Sequence, residues 1–224
     1  MGLMRFNFRS QVLSGYVDVT IAYPTDFLSY YDMSTPRHHV MPGQPKYPMY
    51  KRGMKFQTVY LIHGGGDDDS LCYRYTNAEL YAQKNYVMLV TPDIMNSFGI
   101  DTAFGVDYST FLTDELPVLV QTLFASSEKR EDNFIVGYAM GGNAALGNAL
   151  KRPDLYSECV DISGGIGMSM NLEGLKRAAA NSSHFKIVGT SFGDPDKIEG
   201  SDRDLQYLAK RNLEDGVDLP KFTF

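Results

Sequence analysis

The chain has 224 residues, of which 43% are hydrophobic and 21% charged, the balance of an ordinary globular protein with one sizeable core. A formal net charge of −6, a pI near 5.2 and the lack of a basic cluster argue against nucleic acid and anionic membrane as partners. Cys72 and Cys159 are far apart with no metal-ligand spacing and read as buried thiols. No apolar run approaches the ~18 residues of a membrane span, and the N-terminus turns polar at once, so no signal peptide is expected and a cytoplasmic location is the default.

Phe6 to Pro24 predicts two strands around a Ser14-Gly15 turn, with Val17, Val19 and Ile21 alternating against Asp18, Thr20 and Ala22. Residues 25–55, rich in proline, glycine and tyrosine, predict a long ordered loop of the functional or lid type. Phe56 to Ile62 predicts a buried strand running into His63-Gly64-Gly65-Gly66. A helix near Thr76 to Lys84 is followed by a strand from Tyr86 to Val90, ended by Thr91-Pro92. Phe111, Leu112, Leu116, Leu119, Val120 and Leu123 have helical spacing within Asp107–Ala125, and Pro117 should kink or break that helix. Further strands are expected at Phe134–Gly137, Cys159–Ile162 and Lys221–Phe224, with a short helix from Ser201, its expected cap, through Arg211. Strands alternating with helices give an α/β fold, a mainly parallel central sheet flanked by helices, in one domain (1–224) with a cap-like insertion at about 165–215.

The chemistry gathers at two turns. Gly137-Tyr138-Ala139-Met140-Gly141, between an apolar strand and a helix-like stretch, has the outline of the Gly-x-Ser-x-Gly elbow that presents a nucleophilic serine, with alanine at its centre. Strand–His63-Gly64-Gly65-Gly66 is the type of loop that supplies a backbone N–H to a developing oxyanion, and Met140 would supply the second. The helix beginning at Gly141 would aim its N-terminal dipole at the same place. His63 reads as a tie for its own loop rather than a proton carrier. His38 and His39 fall in the polar loop, and His184 falls well before any final strand. Asp67-Asp68-Asp69 reads as a solvated turn rather than a metal cluster, and Asp194 and Asp196 read as turn residues.

Ser10-Gln11-Val12-Leu13, Leu61 through Gly66, Gly105-Val106-Asp107-Tyr108, Asp114-Glu115-Leu116-Pro117 and Gly137 through Gly142 stand in the order of an esterase D-like family, which the whole chain resembles. That group of α/β-hydrolases includes tributyrin esterases, S-formylglutathione hydrolases and acetyl and feruloyl esterases. The resemblance carries Ala139 onto the nucleophilic serine and Met140 and Gly65 onto the oxyanion donors. It carries no residue onto the acid or base, which in the family follow further strands and a helix expected beyond Phe224. It implies a serine carboxylesterase for short acyl, acetyl or feruloyl esters, small or polysaccharide-linked, working without cofactor or metal and inactive as written. An S-formylglutathione thioesterase, a natural pseudoenzyme that binds without cleaving, and an interaction domain sharing only the fold remain alternatives. Apolar sheet edges lead to an expectation of self-association as a homo-oligomer.

Overall fold

A computed structural model describes residues 1–25, 52–164, 173–174, 176–177 and 186–224. Most of the expected loop at 25–55 and much of the expected cap at 165–215, with His38, His39 and His184, therefore lie outside the described residues. Among the described residues, seven strands form one sheet in the order β1-β2-β4-β3-β5-β6-β7. β1 (Gly2–Arg9) and β2 (Tyr16–Tyr23) make an antiparallel hairpin, and β2 also pairs antiparallel with β4 (Met88–Pro92). β3 (Thr58–Ile62), β5 (Asn133–Tyr138), β6 (Glu158–Ile162) and β7 (Lys221–Thr223) join β4 in the parallel part. Parallel strands need helical crossovers. These include α2 (Ala78–Asn85), α4 (Leu116–Leu123), α5 (Met140–Lys151) and, among the described residues of the later segment, α6 (Lys186–Phe192) and α7 (Leu205–Glu214); a short α1 (Leu71–Tyr75) precedes α2.

The two-residue period of the strands sorts side chains to two layers. Tyr60, Ile62, Ile135 and Cys159 turn one way and pack in the main core with Ala144, Ala145 and Ala149 of α5 and with Phe111, Leu116 and Val120. Ala22, Leu89, Val59 and Leu61 turn the other way, against Cys72 and Ala82 of the first two helices. Both cysteines are free and buried, and burial pushes each thiol up to about 12, so neither is a reactive nucleophile.

Four details differ from expectation. α1 has only five residues, too few for a periodic signal. β4 starts two residues later than expected because Tyr86, at φ 59°, is spent as the left-handed cap of α2. The helix expected to bend at Pro117 begins at α3 (Tyr108–Thr110) and passes through a wider π-helical turn, Phe111–Glu115, immediately before it. In that turn Leu116 N–H bonds to Phe111 O, five residues back. Finally, Asp204 rather than Ser201 caps α7, its carboxylate accepting from Tyr207 N–H, and the helix runs on to Glu214.

Two of the sequence motifs meet here. Glu115 accepts hydrogen bonds from the Ser10 hydroxyl and, at 2.8 Å, from Gln11 N–H, while Ser10 Oγ accepts from Leu13 N–H at 2.9 Å. The hairpin is thus fastened to the helix behind the sheet by a fully buried serine.

Candidate active site

β5 delivers the chain to a sharp turn at Ala139, whose φ of 50° and ψ of −119° lie where a side chain is strained. Two hydrogen bonds hold it there: Ala139 N–H donates to Ile162 O at 3.1 Å, and Gly142 N–H donates to Ala139 O at 3.0 Å. Glycines make the turn sterically possible. A methyl at Gly137 would lie 1.9 Å from Gly141 O, and one at Gly141 would lie 2.2 Å from Ile62 O. The first turn of α5 therefore rests directly on the end of β3. Ala139 is exposed at the carboxyl edge of the sheet, and α5, 12 residues long, begins at Met140. Its dipole favours negative charge at that end.

The end of β3 supplies the other half. A methyl at Gly64 would sit 3.4 Å from the Ala139 methyl, and one at Gly65 would sit 3.9 Å from Met140 Cβ. The three residues singled out in the sequence (Gly65, Ala139 and Met140) are thus neighbours. Sequence separation of more than 70 residues is closed by the parallel register that sets Ile62 beside Gly137.

The loop is tied on several sides. His63 is buried, and Ile94 N–H donates to its Nε2 at 3.0 Å. An amide can only donate, so that nitrogen accepts and the ring proton sits on Nδ1, which donates to Gly64 O at 2.7 Å. Both ring nitrogens are engaged by backbone, which makes His63 the loop tie expected of it. Asn96 Oδ1 accepts from Gly66 N–H at 2.7 Å, and Tyr138 Oη donates to Asp67 Oδ2 at 3.0 Å. Burial, the largest influence, holds the Tyr138 phenol well above its ordinary value and keeps it protonated as a donor.

The triple aspartate departs from the solvated turn expected of it at Asp69, while Asp68 is exposed and Asp67 half-buried. Asp69 is fully buried, accepting from the Thr20 hydroxyl and, at 2.9 Å, from Arg5. Asp68 accepts from Ser70 N–H and Oγ, and Asp67 takes the Tyr138 bond. Each carboxylate has its own local work, and among the described residues no group of three or more His, Cys, Asp or Glu is placed to hold a metal. Asp194 does act as a turn residue, accepting from Asp196 N–H at 3.1 Å.

Sequence reasoning missed Tyr138, Asn96 and Asp161. Tyr138 occupies a variable place in the elbow motif, and Asn96 lies in an irregular turn flanked by Met95 and Phe98, both at positive φ. Asp161 is buried at the end of β6; its Oδ1 accepts from Gly164 N–H at 2.7 Å, while its Oδ2 has no partner. Burial raises its pKa above the ordinary carboxylate value.

A strand order of this kind, with a strained strand-to-helix turn at the carboxyl edge beside a glycine loop, defines an α/β-hydrolase fold. Residues 39–192 match the family model described as "Putative esterase", and the chain belongs to that family. It is 26% identical to an acetyl esterase from Caldicellulosiruptor saccharolyticus over 99% of this chain and 78% of that protein. Among solved structures it is similar to an S-formylglutathione hydrolase from Staphylococcus aureus, with a TM-score of 0.74 and 23% identity, covering 99% of this chain and 77% of that one. A second, from Agrobacterium tumefaciens, gives a TM-score of 0.67 at 17% identity over 98% of this chain and 73% of the other. No helix among the described residues is long and apolar enough to cross a membrane.

Proposed function

We propose that this chain is built on the scaffold of a serine carboxylesterase for short acyl esters, acetyl and feruloyl esters included, and that as written it binds such esters without cleaving them. One observation carries the reading: the strained turn that faces the glycine loop bears the methyl of Ala139. With a hydroxyl at that position and the histidine base of the family to take its proton, the oxygen would attack the acyl carbon, and the amides of Gly65 and Met140 would receive the oxyanion. The alcohol would leave with that proton, and water, deprotonated by the same histidine, would then release the acyl group and restore the hydroxyl. Without it, the covalent step has no nucleophile. Loss of the triad serine in a serine hydrolase lowers kcat on the order of 10⁶-fold. The likeness to the acetyl esterase supports an oxygen ester as the substrate class, and the family as a whole supports ester hydrolysis. The proposed chemistry uses no cofactor.

The test compares the protein with its Ala139→Ser variant, both expressed from the full-length native gene, on p-nitrophenyl acetate and butyrate. Background rates from the alanine form and a clear gain on restoring the hydroxyl are the expected result. Turnover by the alanine form would overturn the proposed inactivity, and a serine form no faster than background would overturn the esterase reading of this site.

A further inference from the structure

We propose that Tyr138 and Asp67 form a positioning pair that sets the distance between the two oxyanion donors, an inference that rests on the reading of Gly65 and Met140 as those donors. The two amides belong to different loops, one leaving β3 and the other leaving β5. The strand register fixes where each loop starts, but not where its tip lies. A donor displaced by an ångström can lose on the order of a hundredfold in rate, so something must fix the tips relative to one another.

Tyr138 immediately precedes the strained turn, and its phenol crosses to Asp67 at 3.0 Å. Asp67 closes the glycine loop, its N–H donating to Gly64 O at 3.4 Å. Gly65 therefore sits inside a turn whose far end is bonded to the residue beside Ala139. The tyrosine ring lies over the near end: its Cε2 is 3.1 Å from where a Gly64 methyl would stand. Gly65 itself is exposed, and a methyl there would come no nearer than 3.6 Å to Asn96 Oδ1 and 3.9 Å to Met140 Cβ. The other ties, His63 to Gly64 and Asn96 to Gly66, fasten the loop to β3 and to the segment after β4. Among the described side chains, the Tyr138 phenol reaches directly from the elbow to the glycine loop, to the Asp67 carboxylate and to the Gly64 backbone.

The experiment places Tyr138→Phe, Asp67→Ala and Asp67→Asn in the Ala139→Ser background. Tyr138→Phe removes one oxygen and leaves the ring packed, so it is the variant least exposed to misfolding. The expected result is a kcat lower by about 10- to 100-fold in Tyr138→Phe and Asp67→Ala with KM within about twofold, since the interaction lost acts in the transition state. Asp67→Asn, whose amide oxygen still accepts the phenol proton, retains most of the rate. The Tyr138→Phe/Asp67→Ala double variant is no slower than the slower single one. A kcat within twofold of the parent, an asparagine as damaging as alanine, or additive losses would each overturn the proposal. Should the serine form show no turnover at all, the esterase reading falls by itself. The pair is then judged in the protein as it stands, by amide hydrogen exchange. Tyr138→Phe should speed exchange at Gly65 and Gly66 at least about tenfold while the amides of α5 stay unchanged, and equal exchange would refute it.

Discussion

The strain at residue 139 can be measured without any catalysis. Ala139 holds φ 50° and ψ −119°, a region that costs a residue bearing Cβ about 1–3 kcal/mol. Glycine at that place has no such penalty, but it adds about 0.4–1 kcal/mol of unfolded-chain entropy. Because Ala139 is exposed, removing its methyl opens no cavity. The balance favours Ala139→Gly by about 0.5–2 kcal/mol, or a Tm higher by about 1–8 °C in a protein of this size. Calorimetric melting at neutral pH reads the shift. Serine shares the Cβ and should melt close to the alanine form. A glycine form that melts at or below the alanine form would show that the turn is not strained and that the elbow geometry described here is wrong.

Two positions along, the sign reverses: Gly141→Ala drives a methyl to 2.2 Å from Ile62 O and 2.5 Å from His63 O, both backbone. The loss should reach about 3 kcal/mol or more in urea unfolding, and a change under about 1 kcal/mol would refute the close packing. Asp161 titrates above its ordinary 3.8 in the fold, so the native state holds the proton more tightly than the unfolded chain does. Stability therefore falls as pH rises through the folded value. Asp161→Asn should raise Tm at pH 7 by about 2–4 °C for each kcal/mol relieved, with the gain shrinking toward pH 4; an equal gain at both would refute this. Arg5→Met leaves the buried Asp69 carboxylate with fewer donors, and because Arg5 is itself 55% exposed the loss in urea melts should be about 1–2 kcal/mol, smaller when Asp69→Asn is added. A single-variant loss no different from the double would refute it.

What could be read from the residues was what depends on local period and local turn chemistry. The alternation of Val17, Val19 and Ile21 marked β2, and the apolar run before Gly137 marked β5. The strand–turn–helix outline brought Gly65, Ala139 and Met140 into view because each motif carries its own backbone conformation. Their adjacency was reached through the fold resemblance, since no local signal sets Ile62 beside Gly137. Side chains whose partners lie far along the chain escaped notice. Asp69 looks like a turn residue among its neighbours, and only the hairpin 49 residues earlier, with Thr20, makes it buried. Asp204 took the cap expected of Ser201 because both residue types suit that role, and only the backbone decides which residue precedes the first helical turn.

The arrangement also explains how the turn is kept around an alanine. Neighbouring parallel strands lie about 4.8 Å apart, so loops leaving β3 and β5 at the same level, Ile62 beside Gly137, start within reach of each other. Gly141 then seats the first turn of α5 on the carbonyls of Ile62 and His63, and Ile162 O fixes the Ala139 amide. Every one of these contacts is backbone to backbone, or depends on a glycine having no side chain. None involves an atom beyond Cβ at residue 139. A hydroxyl there would be held by geometry it does nothing to create, so the same turn accommodates serine or alanine with equal stability, and the difference between the two falls on chemistry alone.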